Sequence, residues 1–142
     1  IVLTVDSAGG AFTPGTTYQV AVRAVNAIGG TATAPSSVLV VVPPSAPATF
    51  SAAVVGVGIQ VDFTAPTSTG GGAITYQYTT DNGANWRSFT NPSQGPGTNI
   101  ALPGPSAGGT FSSPSGPYQV TVRATNSAGS TAYSPVTTLS IP

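Results

Sequence analysis

Tyr18-Gln-Val-Ala-Val-Arg-Ala-Val-Asn26 and Tyr118-Gln-Val-Thr-Val-Arg-Ala-Thr-Asn126 decide the fold: one pattern is written twice, 100 positions apart. In each copy Tyr, Val, Val and Ala take alternate positions, and Gln, Ala or Thr, and Arg lie between them. A period of two puts the first set on one face of a β-strand and the second set on the other. The match continues through Gly29 and Gly129, Thr31-Ala32 and Thr131-Ala132, and Pro35 and Pro135. Upstream, Ser7-Ala-Gly-Gly-Ala-Phe12 is echoed by Ser106-Ala-Gly-Gly-Thr-Phe111, one residue out of register. A period of about 100 residues is the size of one β-sandwich.

The phase of the repeat divides the chain. Residues 1–42 match only the rear half of a unit, 43–47 read as a Pro-rich linker, and 48–142 hold a complete unit. A start at Ile1, inside a strand-like run, suggests a fragment or processed product of a longer array. Val38-Leu-Val-Val-Val42 is apolar on both faces, which suits a last strand running into Pro43-Pro-Ser-Ala-Pro47. Two adjacent prolines favour a semi-rigid, polyproline-type joint. A few rear strands do not bury their inner faces alone. Val20, Val22 and Ala24 therefore need a partner sheet. The expectation is that 1–42 is disordered or aggregated by itself, or is completed by another chain through strand addition.

Within the complete unit the strands follow from alternation. The sequence predicts Thr49–Val55, a second strand carrying Ile59, Val61 and Phe63, and a third carrying Ile74, Tyr76 and Tyr78. Asp81-Asn82-Gly83 predicts a tight hairpin, because Asn-Gly accepts positive φ, with Asn85–Phe89 as the return strand. Thr98–Leu102 is a short strand. Tyr118, Val120, Val122 and Ala124 face inward on a long one, with Gln119, Thr121 and Arg123 outward. Ser127-Ala-Gly-Ser130 turns into a last strand, Thr131–Ile141. Seven short strands predict an all-β, immunoglobulin-like sandwich.

Thr64-Ala-Pro-Thr-Ser-Thr-Gly-Gly-Gly72 between apolar strands, followed by Tyr118-x-Val-x-Val-x-Ala-x-Asn-x-x-Gly129, closely resembles bacterial fibronectin type III domains. The resemblance covers 46–142 in full and 1–42 as the rear strands of a preceding copy. It departs from the family at the second strand, where Val61 or Phe63 stands in place of a Trp, and in a long Gly/Pro/Ser loop at 103–117. It implies tandem sandwiches in a secreted or surface protein. It also implies tyrosine corners at Tyr18 and Tyr118, whose hydroxyls bond to upstream backbone. Asn26 and Asn126 would cap strand ends. Gly29 and Gly129 would supply positive φ.

Composition narrows the chemistry. Charged residues are 4 % of the 142, against roughly 25 % in a typical domain. They are Arg23, Arg87 and Arg123 against Asp6, Asp62 and Asp81, with no Lys, Glu, His, Cys or Met. The usual zinc ligands, a His base for a Ser nucleophile, and closely spaced carboxylates are all missing, so no enzyme, metal or cofactor is expected. Without Lys no isopeptide staple forms. A net charge of zero argues against nucleic acid. No apolar run of about 18 residues exists to insert into a membrane. Absent cysteines fit a secreted or a cytosolic origin equally, so the expected extracellular or cell-surface location rests on the resemblance.

Few side chains suggest recognition. Trp86, the only Trp, suits stacking on a sugar ring; the plainer reading packs it on Tyr76 or Tyr78 across the sheet. Arg87 and Arg123 form either a small outer-face patch or solvated charge. Tyr133 and the 103–117 loop complete the candidate contacts. Asp62 lies mid-strand without a second carboxylate, which is poor for calcium. Asp81 reads as turn chemistry. The leading expectation is a structural or spacer module of an adhesin stalk or surface fibre, partnered by neighbouring repeats or copies of itself. The alternative is a binding module: a carbohydrate-contacting accessory domain of a secreted hydrolase touching a glycan or host surface, or a phage virion decoration or tail domain.

Overall fold

Alternating apolar and polar residues become strands because each such run can bury one face while its backbone pairs with neighbours. The computed structural model describes residues 1–89, 95–130 and 133–142. The rear half-unit carries β1 (Thr17–Val20), β2 (Arg23–Val25), β3 (Gly30–Ala32) and β4 (Ser36–Leu39). The complete unit carries β5 (Phe50–Val55), β6 (Gly58–Phe63), β7 (Thr75–Thr79), β8 (Arg87–Ser88), β9 (Gly97–Ala101), β10 (Ser115–Thr125) and β11 (Thr137–Ile141). The chain is all-β, with no helix among the described residues.

In the complete unit one sheet has the order β5-β6-β9 and the other β11-β10-β7-β8. Their inner faces share one core, as a β-sandwich requires. Ile59, Val61 and Phe63 come from β6, Ile100 from β9, Tyr78 from β7, Val120 and Val122 from β10, and Ile141 from β11. Phe89 and Leu102 close it. Phe63 meets Tyr76 at 5.1 Å and Phe89 at 5.8 Å between ring centroids. Burying each aliphatic or aromatic side chain of this kind contributes about 1.5–3 kcal/mol.

Boundaries differ from expectation where turns decide them. Asn82 and Gly83 do adopt positive φ, 57° and 89°. They nevertheless sit in a wide loop, not a two-residue hairpin, because β7 and β8 rejoin only at Tyr78↔Arg87. The side chain of Thr79 and the carboxylate of Asp81 hold that loop open with hydrogen bonds to Gly83 N (3.0 Å) and Asn85 N (2.9 Å). The return strand shrinks to Arg87–Ser88. Of the expected last strand, Thr131 and Ala132 lie outside the described residues. Tyr133 makes a single bridge to Arg123, and regular pairing resumes at Thr137.

The half-unit contrasts with this. β1 pairs with β4, and β2 with β3, as two separate two-stranded ladders. Its segments are laid out as strands and not as coil, yet Val22 is 69 % exposed where its repeat partner Val122 is 0 % exposed. The linker is no free spacer either: Pro44 is fully buried and Pro47 bridges to Pro66.

Candidate functional site

β10 lies second in its sheet, and its outward residues look onto β7 and the loop leading into β8. Arg123 stands opposite Gln77. It donates to Gln77 Oε1 from Nε (2.9 Å) and from Nη2 (2.7 Å). This two-pronged grip holds the guanidinium over the Trp86 ring, 4.0 Å from its centroid. That distance is well inside cation–π range. Tyr133 completes the group, 5.8 Å from Trp86 and 53 % exposed. Burial pushes the Arg123 guanidinium below its usual range, although an arginine stays charged at neutral pH.

The register of the β7–β8 loop explains why Trp86 faces out. Tyr78 points into the core and pairs with Arg87, so Arg87 shares the inner side and Trp86 takes the outer one. The expected packing of Trp86 on Tyr76 or Tyr78 is therefore corrected: its ring partners are Arg123 and Tyr133. The expected Arg87–Arg123 patch is corrected too. Arg87 Nη1 donates to Pro105 O at 3.3 Å, beside the Tyr78 hydroxyl, which donates to Gly104 O at 2.9 Å. Burial raises the Tyr78 pKa, and the neighbouring Arg87 opposes that rise.

The 103–117 loop is anchored at its start. Ser106 and Thr80 exchange hydrogen bonds through Ser106 Oγ and Thr80 Oγ1, each also capping the other's backbone N–H at 2.9 Å. Thr121, expected to face outward, is fully buried beneath the chain at Ser134. Its hydroxyl donates to Ser134 O at 2.6 Å, and Ser134 Oγ accepts from Val122 N at 3.2 Å. Composition marks both as ordinary surface residues; only the covering segment makes them a buried polar pair.

The three carboxylates serve the backbone. Asp6 Oδ1 accepts from Ala8 N (2.9 Å) and Gly10 N (2.8 Å). Asp62 Oδ1 accepts from Asn99 N at 2.5 Å. Asp81 takes bonds from Thr79 Oγ1 (2.6 Å), Asn85 N and Asn85 Nδ2. Burial raises the Asp81 pKa, but hydrogen bonds from Thr79, Asn85 and Ser106 outweigh that, and the net shift is downward. No group of three or more metal-ligating side chains occurs among the described residues. A surface hollow of ≈ 530 Å³ lies between β2 and β3 and is lined by residues 24–26 and 28–31, away from Trp86.

The structural residues divide similarly. Tyr18 OH accepts from Thr13 N at 3.1 Å, a bond to upstream backbone as expected. Tyr118 instead meets the Ser115 hydroxyl at 2.9 Å, because the chain between Ser115 and Tyr118 is bulged. Each Tyr also takes a preceding Phe edge-on: Phe12 on Tyr18 at 4.9 Å and Phe111 on Tyr118 at 5.3 Å. Asn26 Oδ1 caps Ile28 N at 2.9 Å, and Asn126 Oδ1 caps Ala128 N at 2.8 Å. Gly29 and Gly129 close those turns with φ of 156° and 101°.

What Arg123, Trp86, Tyr133 and Gln77 can do is hold a flat polar ligand. They offer an exposed phenol ring, a partly covered indole and a fixed cation. They hold no nucleophile with a base beside it. No family model matches the chain, and no curated protein matches it significantly.

Proposed function

We propose that the chain is a structural spacer: a stretch of tandem fibronectin type III-like, seven-stranded sandwiches in a secreted or surface-attached stalk or fibre. The observation that carries this reading is the repeat itself, two copies of the Tyr-x-Val-x-Val-x-Ala-x-Asn-x-x-Gly run 100 residues apart. The three- and four-stranded sheets, with β10 between β7 and β11, support the family resemblance. The docked linker supports a spacer with little slack. The inner faces of β1 and β2 are completed in use by a neighbouring repeat or a copy of the chain, since the same faces on β10 are buried. A strand of 11 residues, as in β10, sets a unit length of about 36 Å at about 3.3 Å per residue. Solution scattering on arrays of two, four and six units tests this. The expected maximum dimension grows by that increment per unit; a collapsed or unchanging dimension refutes the spacer.

One observation favours a second role. The Trp86–Arg123–Tyr133 group is an aromatic and cationic surface with Tyr133 half-exposed, a combination suited to stacking on a sugar ring. The binding-module reading expects glycan-array binding that Trp86→Ala abolishes while the unfolding curve stays intact. An array without any glycan signal removes it.

A further inference from the structure

Gly70-Gly71-Gly72 lies against the Pro43–Pro47 linker, which the sequence makes a semi-rigid joint, and the contacts between them are close. Val42 N donates to Gly70 O at 2.9 Å. Ser45 N donates to Ser68 O at 3.0 Å, and Ser68 N donates back to Ser45 Oγ at 3.1 Å. Pro44 between them is fully buried. A β-carbon on Gly70 would run into the Val42 carbonyl, and one on Gly71 into the backbone of Pro14 and Gly15. One on Gly72 would stand 3.1 Å from Val41 Cγ1. Gly70 and Gly71 also take positive φ, 68° and 84°. Glycine is needed here for close backbone approach, not for mobility.

Asn126 closes the contact from the other side. Its Oδ1 caps the turn at Ala128 N, which leaves the amide NH2 with two donors. These reach Val42 O at 2.8 Å and Thr69 O at 3.0 Å. One side chain thus finishes its own turn and ties the exit of the preceding half-unit to the loop after β6. Asn26 holds the equivalent position in the earlier copy.

We propose that Gly70–Gly72 and Asn126 form a lock that seats the end of one unit on the next and fixes their relative orientation. The socket belongs to the following unit; its occupant is the Pro14-Gly15 turn and Val41–Ser45 of the preceding one. The lock deepens the spacer reading and rests on it for its purpose, since a fibre that must hold its reach needs stiff joints. The contacts themselves lie within this chain.

A thiol pair tests it, because the chain has no cysteine of its own. Val41→Cys with Gly72→Cys places two sulfurs across the joint at a separation a disulfide can bridge. Under a mild oxidant, the full chain should form this bond rapidly and within one molecule, read by mass and free-thiol loss. Asn126→Asp keeps the turn acceptor but removes both donors and faces a carboxylate with two carbonyls. Added to the pair, it should slow bond formation several-fold. Gly71→Val should slow it on the order of tenfold by lowering the local thiol concentration. Slow bonding in the parent pair, or rates untouched by both substitutions, overturns the lock. Trp86 emission reports whether the complete unit stays folded; if Gly71→Val unfolds it, Asn126→Asp carries the comparison. Fast bonding in an array that scatters as a flexible coil would remove the spacer and keep the lock; slow bonding in an extended array would do the reverse.

Discussion

β2 and the second half of β10 are nearly the same sequence in two environments. Arg23-Ala-Val25 and Arg123-Ala-Thr125 both pair with a returning segment. Around Arg123, Val120, Val122 and Ala124 are all 0 % exposed, whereas Val22 and Val25 are 69 % and 63 % exposed. The difference is the sheet β5-β6-β9, which covers β10 and has no counterpart over β2 among the described residues. Alternation therefore chooses which face is apolar, and a second layer decides whether that face is core.

The two copies differ more finely in register. Arg23 pairs with Ala32, but Arg123 bridges to Tyr133, so the returning chain is displaced by one position between copies. Thr33 Oγ1 accepts from Val22 N at 3.1 Å, and Ser134 Oγ accepts from Val122 N at 3.2 Å. The same hydroxyl task is done by residues 101 apart. The displacement also puts Tyr133 where the first copy has Ala32, which gives Trp86 an aromatic neighbour beside Arg123.

The largest break of the comparison comes from charge in the two valines. Val122→Asp places an unpaired carboxylate in a closed core, which costs several kcal/mol. It is expected to abolish the cooperative urea transition followed by Trp86 fluorescence. Val22→Asp sits on an exposed face and should move the midpoint by less than about 0.5 kcal/mol. A large effect from Val22→Asp would mean that another chain covers that face.

The hydroxyl pair sharpens it next. Ser134→Ala strands the Val122 N–H in a dry site, while Thr121 keeps its bond to Ser134 O, and should cost about 1–3 kcal/mol by chemical denaturation. Thr33→Ala exposes its partner to water and should cost far less. Equal costs would show that the half-unit is as dry as the complete one.

A smaller effect concerns Arg123, which has an indole beside it where Arg23 has no such partner among the described residues. A double-mutant cycle on Trp86→Leu and Arg123→Leu should give a coupling of about 0.5–1 kcal/mol. Zero coupling would make the stacking incidental.

The smallest concerns acid. Asp81 has its pKa held below the ordinary value of 3.8 in the folded chain, so the unfolded chain takes up that proton first as pH falls. Its contribution is complete above the ordinary value and fades as pH drops through the folded one. Asp81→Asn should flatten the acid limb of midpoint against pH; an unchanged limb would show that Asp81 does not carry it.

Much of the scaffold was legible in the residues. The long strand through Val120, Val122 and Ala124, the turns at Asn26 and Asn126, and the inward set Ile59, Val61 and Phe63 all follow from period two and turn chemistry. The candidate site was legible only as parts. Trp86, Arg123 and Tyr133 were each visible, but their meeting depends on Arg87 pairing with Tyr78, and a shift of one residue there would turn Trp86 inward. Gln77, which holds Arg123 in place, carries no signal of its own. The close approach at Gly70–Gly72 carries no signal of its own either, because the same residue permits both a slack loop and the closest backbone contact.

By itself, then, the sequence determined an all-β chain, a repeat of about 100 residues and the inward face of its long strand. These depend on local alternation and on self-similarity, which need no partner to be read. Tertiary structure alone decided which copy of that strand is buried, which aromatic stands over Arg123 and how the linker is seated. Each of these rests on register and on contacts between residues far apart in the chain, where a displacement of one position exchanges the two faces of a strand.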